Sequence, residues 1–178
     1  MEKNKILLVI DMQKDFVTGA LANKEAQQII ENIKKKIESY KESGLPVFFT
    51  RDTHGEDYLN TQEGKLLPVE HCIKGSNGWQ IIDELADYAT EENTLDKPSF
   101  GCLDLPGWLC DKLAGATPAE IELCGVCTDI CVISNGMILK AAYPETPITV
   151  EGSCCAGVTP ESHNNALEAM KMCQILVR

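Results

Sequence analysis

The stretch ELCGVCTDICV, residues 122–132, sets Cys124, Cys127 and Cys131 where an apolar run gives way to a helix-forming one. Cysteines so spaced can hold a metal, form a redox pair, fill a core or supply a nucleophile. Cys124 falls inside the apolar run and reads as core. Cys131 lies one turn into the helix, where unpaired N–H groups and the helix dipole favour a thiolate and can stabilise an oxyanion. Geometry therefore favours Cys131 over the cysteines outside this turn. A zinc clip lacks a further Cys or His at finger-like spacing, and a Cys124–Cys127 redox pair would have one partner buried in the strand. Spacing alone leaves both open.

Three other places could join such chemistry. Asp11 follows the apolar residues 6–10, so it stands at a strand exit, either as a partly desolvated base or as a cap on the next turn. Lys97, in LDKPSFG, precedes a proline that biases it to extended or turn backbone. There it could depress a thiol's pKa or hold a carboxylate, or simply lie on the surface. Asp52, His54 and His71 make a mixed nitrogen and oxygen set that suits a catalytic metal with open positions, unless the histidines are merely surface residues. His163 follows Pro160 near the start of a helix and reads as structural.

Elements of a repeating kind must position these groups. Residues 5–10 (KILLVI) and 46–50 (PVFFT) are short apolar runs ending in polar residues, the pattern of buried strands. Between them Ala26, Ile29, Ile30, Ile33, Ile37 and Tyr40 recur at helical spacing, and Gly44 can end the helix. Amphipathic stretches follow at 79–88, 105–113 and 128–142, the last after a strand at 121–126. Residues 148–150, a helix at 160–172 and a strand at 174–177 complete the series. This alternation predicts a single-domain α/β fold, helices flanking a mostly parallel sheet with right-handed crossovers. Residues 53–78, rich in Gly, Glu, Asp and Asn, show little periodicity, and a segment that long is usually functional. Ligands of open parallel sheets sit beyond the carboxyl ends of the strands, which makes Asp11, Asp52 and the 127–131 turn neighbours.

Composition narrows the partner. The chain has 178 residues and a net charge of −11, which repels nucleic acid and anionic membrane surfaces and leaves a small molecule as the expected ligand. The N-terminal apolar run is too short for a signal-peptide core or a membrane span, so the expected location is the cytoplasm. Nine cysteines, an odd number without an export signal, read as reduced thiols.

Taken together, VIDMQKDF (9–16), RDTH (51–54), EHCIKG (70–75), KPSFG (97–101), GVCTDICV (125–132) and CCAGVTPESH (154–163) resemble the isochorismatase-like cysteine hydrolase superfamily, in order and over nearly the whole chain. The resemblance implies that superfamily's fold, a three-layer sandwich around a Rossmann-like sheet, with residues 1–178 as one cysteine hydrolase domain. The closest likeness is to the nicotinamidases of NAD salvage. It implies a catalytic triad of Asp11, Lys97 and Cys131, and a divalent metal (zinc, manganese or iron) on Asp52, His54 and His71. It also implies a cis peptide between Val126 and Cys127, with the N–H groups of Cys127 and Cys131 aimed at an oxyanion. Phe16 would pack on the substrate ring. Where nicotinamidases commonly carry a stacking aromatic residue, this chain has Pro68, whose apolar face, or Tyr58 or another loop residue, would have to serve. Members often associate as homo-oligomers, though no interface is legible here. The implied substrate is nicotinamide, with another small amide or carbamoyl compound as the alternative. A thiol redox or binding module, suggested by the nine cysteines, is the reading outside enzymology.

Overall fold

A computed structural model describes residues 4–178. In chain order the elements are β1 (Lys5–Ile10), α1 (Lys14–Val17), α2 (Lys24–Gln28), α3 (Ile30–Glu42), β2 (Val47–Asp52), a 3-10 turn (Tyr58–Asn60), α4 (Gln62–Leu66), α5 (Asp83–Ala86), β3 (Thr94–Lys97), α6 (Leu105–Lys112), β4 (Glu120–Val126), a π-helical turn (Thr128–Val132), α7 (Ile133–Ala142), β5 (Ile148–Ala156), α8 (Pro160–Met172) and β6 (Leu176–Val177). The strands form one six-stranded sheet, ordered β3-β2-β1-β4-β5-β6, and every pairing is parallel. Parallel sheets need both faces covered, and β1 shows the consequence. Ile6 to Ile10 are wholly buried, each large aliphatic side chain stabilising by about 1.5–3 kcal/mol. The α/β expectation holds, and the sheet is parallel throughout.

Several local expectations are corrected. Residues 79–88 were expected to form an amphipathic helix, but only Asp83–Ala86 is helical; Ile81 instead bridges antiparallel to Gln13, and that link seals the sheet's carboxyl end. The helix expected from Ala26 to Tyr40 starts earlier, where Asn23 caps it by accepting from the N–H groups of Glu25 and Ala26, and is interrupted at Ile29. Strand β3 had no expectation at all; its TLDK sequence has too few apolar residues to stand out. Residues 53–78 carry two short helical segments rather than unbroken loop. The strand expected at 148–150 runs on to Ala156. Among the described residues no helix is long and apolar enough to cross a membrane.

Two backbone features bring the chemistry together. Gly125 has φ +115°, and a Cβ there would strike the carbonyl oxygen of Ile10. Only glycine lets β4 approach the exit of β1 so closely. Immediately beyond, Asp11 itself is left-handed at φ 49°, a conformation that costs a non-glycine residue about 1–3 kcal/mol and clusters at functional sites.

Candidate active site

Strand order decides which side chains meet. Asp11 leaves β1, Lys97 ends β3, and Cys131 lies in the turn after β4, all at the carboxyl end of the sheet. Asp11 and Lys97 are wholly buried and Cys131 nearly so. The Lys97 Nζ is 2.7 Å from Asp11 Oδ2 and donates to Cys131 Sγ at 3.5 Å and to Asp52 Oδ1 at 3.3 Å. The three residues singled out in the sequence therefore converge on one point. Thr50 donates to Asp11 Oδ1 at 2.7 Å, and the peptide between Val126 and Cys127 is cis.

Electrostatics suit proton transfer. Burial pushes the Asp11 carboxyl above its ordinary range; Lys97 opposes that shift and Asp52 adds to it. Burial and the Asp11 charge push the Cys131 thiol well above its usual value, against the pull of Lys97. Burial works against the Lys97 charge, but Asp11, Cys131 and Asp52 outweigh it and hold the ammonium above its ordinary pKa. The site thus sets a charged lysine beside a carboxyl whose proton affinity is raised and a thiol whose ionisation burial opposes.

Asp52, His54 and His71 also come together, with a fourth group that the sequence reading missed. One ligand atom each from Asp52, His54, Glu63 and His71 lie within 4.8 Å of one another. His54 Nε2 is 3.0 Å from Asp52 Oδ2, and Glu63 Oε1 is 3.6 Å and 3.8 Å from the Nε2 atoms of His54 and His71. The donor set fits a divalent ion on two counts. Glu63 Oε1 is buried without a hydrogen-bond partner, a state that normally requires an explanation such as an ion. His71 Nδ1 lies 2.8 Å from the Val69 carbonyl; donation there leaves Nε2 with its lone pair toward the cluster, the usual arrangement of a ligating histidine. Burial opposes the Asp52 charge, yet His54, His71 and Lys97 hold its carboxyl below the ordinary range. Asp52 faces both centres and joins them. The three cysteines of the 124–131 stretch take no part in this cluster, and all nine cysteines are free thiols.

A cavity of about 530 Å³ opens over both centres, with Cys127 and Cys131 on one wall and Asp52, Glu63 and His71 on another. Burial raises the Cys127 thiol to about 12, so it is neutral near pH 7. Phe16 lines the cavity, its ring centroid 5.6 Å from that of His71. Pro68 is exposed and lies outside the lining, whereas its neighbour Leu67 and, from the loop after β3, Phe100 are part of it. Tyr58 is wholly buried, its ring 4.7 Å and 5.0 Å from those of His54 and His71.

Supporting residues went unread as well. Gln13 donates to the Asp52 and Trp79 carbonyls and accepts from the Asp52 N–H, locking the exits of β1 and β2 together. Asn135 donates to the carbonyls of Phe100 and Cys131 and accepts from the Cys102 N–H, joining the Phe100 loop to the Cys131 turn. A polar residue amid the apolar stretch of α7 was the only signal available for it.

The isochorismatase domain matches residues 5–178. A probable inactive nicotinamidase of Arabidopsis thaliana is 29% identical over 95% of this chain and 89% of its own. The solved nicotinamidase/pyrazinamidase PncA of Bacillus subtilis superposes with a TM-score of 0.83 at 29% identity, covering 98% of each chain. The pyrazinamidase of Pyrococcus horikoshii, solved in complex with zinc, gives 0.80 at 25% identity over 98% of each chain.

Proposed function

The chain belongs to the isochorismatase family, and from that premise we propose that it is a cysteine-dependent amidohydrolase that cleaves nicotinamide to nicotinate and ammonia. Residues 1–178 act as one cysteine hydrolase domain. The observation that carries the reading is the buried contact of Lys97 with both Asp11, at 2.7 Å, and Cys131, at 3.5 Å.

In this mechanism Asp11, whose carboxyl is raised by burial, takes the Cys131 thiol proton, and Lys97 balances the negative charge that then sits on sulfur. The thiolate attacks the carboxamide carbon. The N–H groups of Cys127 and Cys131 stabilise the resulting oxyanion, each such donor contributing about 3 kcal/mol in other enzymes. Asp11 returns the proton to the leaving ammonia, and water hydrolyses the thioester, regenerating the thiol. Asp52, His54, Glu63 and His71 would hold a divalent metal, which supplies a Lewis-acid partner for the pyridine nitrogen and so orients the ring. Phe16 packs against that ring, and Leu67 and Phe100 offer it apolar contact from the cavity lining.

The Arabidopsis relative is described as a probable inactive nicotinamidase; in this chain Lys97 touches both Asp11 and Cys131 beside a four-donor cluster, which favours activity. The test is ammonia release from nicotinamide by metal-loaded protein, by Cys131→Ala and by chelated protein. Release that is lost in both the variant and the chelated sample supports the reading, and no release from the loaded wild type removes nicotinamide as substrate. A second reading, the same chemistry on another small amide, is favoured by the cavity wall, where Leu67 and Phe100 stand in place of an aromatic residue at Pro68.

A further inference from the structure

His163 has no place in the chemistry described so far. It sits in the first turns of α8 and does not line the cavity. Its Nδ1 nevertheless lies 2.8 Å from Oγ1 of Thr128, a wholly buried residue that opens the π-helical turn carrying Cys131. The next residue, Asp129, accepts from the Val158 N–H at 3.1 and 3.3 Å, and the Val158 side chain lines the cavity. Asn23, also on the cavity wall, donates to the Gly157 carbonyl at 2.7 Å. Gly157 is what lets α8 come this near, because a Cβ there would lie 2.8–2.9 Å from His163. The loop between β5 and α8 is thus held at once by the nucleophile turn and by the substrate wall.

Resting on the amidase reading above, we propose that His163 is a positioning residue for the reaction: through Thr128 it fixes the turn that presents the Cys131 sulfur to Lys97 and to the substrate carbonyl. Burial lowers the His163 pKa, so the ring is neutral near pH 7, and either tautomer completes one hydrogen bond with the Thr128 hydroxyl. Without that bond the first turn is free to shift. A displacement of about 1 Å at a reacting atom can cost about 100-fold in rate.

The experiment compares His163→Ala, His163→Asn, Thr128→Val and the His163→Ala/Thr128→Val double variant as metal-loaded proteins. It measures kcat and KM for nicotinamide and, separately, the rate of Cys131 alkylation by iodoacetamide, followed by peptide mass mapping. His163→Ala and Thr128→Val are each expected to lower kcat about 10- to 100-fold with KM within about threefold. The double variant should be no worse than either alone, and His163→Asn, whose amide can still pair with Thr128, should recover most of the loss. Unchanged kcat, losses that multiply in the double variant, or an Asn variant as impaired as Ala would each overturn the proposal. If His163→Ala does not fold, Thr128→Val, of nearly the same volume, and His163→Asn carry the comparison. If the wild type hydrolyses no nicotinamide, the nicotinamide reading fails on its own. The positioning role then stands or falls on whether Cys131 alkylation slows in the Ala variant and recovers in the Asn variant.

Discussion

Replacing Lys97 with methionine removes the one cation that two buried carboxylates and the nucleophile share. Its ammonium is wholly buried, 2.7 Å from Asp11 and 3.3 Å from Asp52. Charges 2.7 Å apart attract by about 6 kcal/mol at an effective dielectric of about 20; after relaxation, breaking such a buried pair costs about 3–5 kcal/mol. That is a large part of the about 5–15 kcal/mol that stabilises a typical domain. Lys97→Met should therefore unfold at clearly lower denaturant concentration near pH 7. Losing Lys97 also removes an influence that lowers the Asp11 pKa, so Asp11 becomes protonated more readily. A carboxyl whose folded pKa lies above its unfolded value stabilises the fold fully below the unfolded pKa, and that stabilisation is lost as pH rises through the folded pKa. The stability deficit of the variant against wild type should thus be greatest near neutrality and shrink toward acid. A protonated Asp11 cannot act as base, so kcat/KM should fall by at least about 10³-fold, the equivalent of about 4 kcal/mol. Urea unfolding from pH 4 to 8, run beside nicotinamide turnover, reads both effects. A variant that keeps turnover within tenfold of wild type, or a stability deficit that does not vary with pH, would refute the assignment of Lys97 as the charge that organises the site.

Chelation should lower the thermal midpoint by about 5–10 °C, since an ion held at about 100 times its Kd stabilises by about 2.7 kcal/mol and a chain of this length shifts about 2–4 °C per kcal/mol; Glu63→Gln should weaken metal binding by at least about 10-fold in a competition titration. Phe100→Ala should raise KM for nicotinamide while Pro68→Ala leaves kcat and KM unchanged, because only Phe100 lines the cavity; steady-state kinetics on the two variants checks this. Glu122 is buried against Lys36 and Tyr40, both 2.5 Å away. Burial opposes its charge, yet these partners hold its pKa below the ordinary value of 4.5. It therefore contributes stability above that ordinary value that is lost as pH falls through the depressed one, and Glu122→Gln should flatten this acid limb in urea titrations from pH 6 to 3.

The sequence was most legible where one short stretch carried its own signal. The apolar run of β1 ending at Asp11 marks a buried strand, and Cys131 one turn past β4 marks a helix N-terminus. Lys97 was legible only as a residue before proline, since TLDK shows neither period and β3 is a strand because Phe49 to Asp52 pair with it. Glu63 could not be read because its role depends on α4, whose cap at Thr61 is local but whose approach to His54 and His71 is tertiary. Pro68 was read from the resemblance alone, and a matched position does not report direction: Leu67 lines the cavity and Pro68 is exposed outside it. His163 offered nothing beyond its place near a helix start, and its partner Thr128 is 35 residues away.

The order β3-β2-β1-β4-β5-β6 accounts for why so few residues suffice. Chain connections run outward in opposite directions from the β1–β4 boundary, so the crossovers on either side leave a crevice at the carboxyl ends of those two strands. Asp11 and the Cys131 turn flank that crevice, while β2 and β3 place Asp52 directly beside Lys97 in register. The register sets Asp11, Lys97 and Asp52 across three adjacent strands, with the Lys97 ammonium 2.7 and 3.3 Å from the two carboxylates. Cys131 is the exception. It rides on a turn outside the sheet, so its place depends on side-chain ties: Asn135 to the Cys131 carbonyl and His163 to Thr128. Substitutions of the buried apolar residues within the strands should therefore cost mainly stability, and substitutions in those ties mainly turnover.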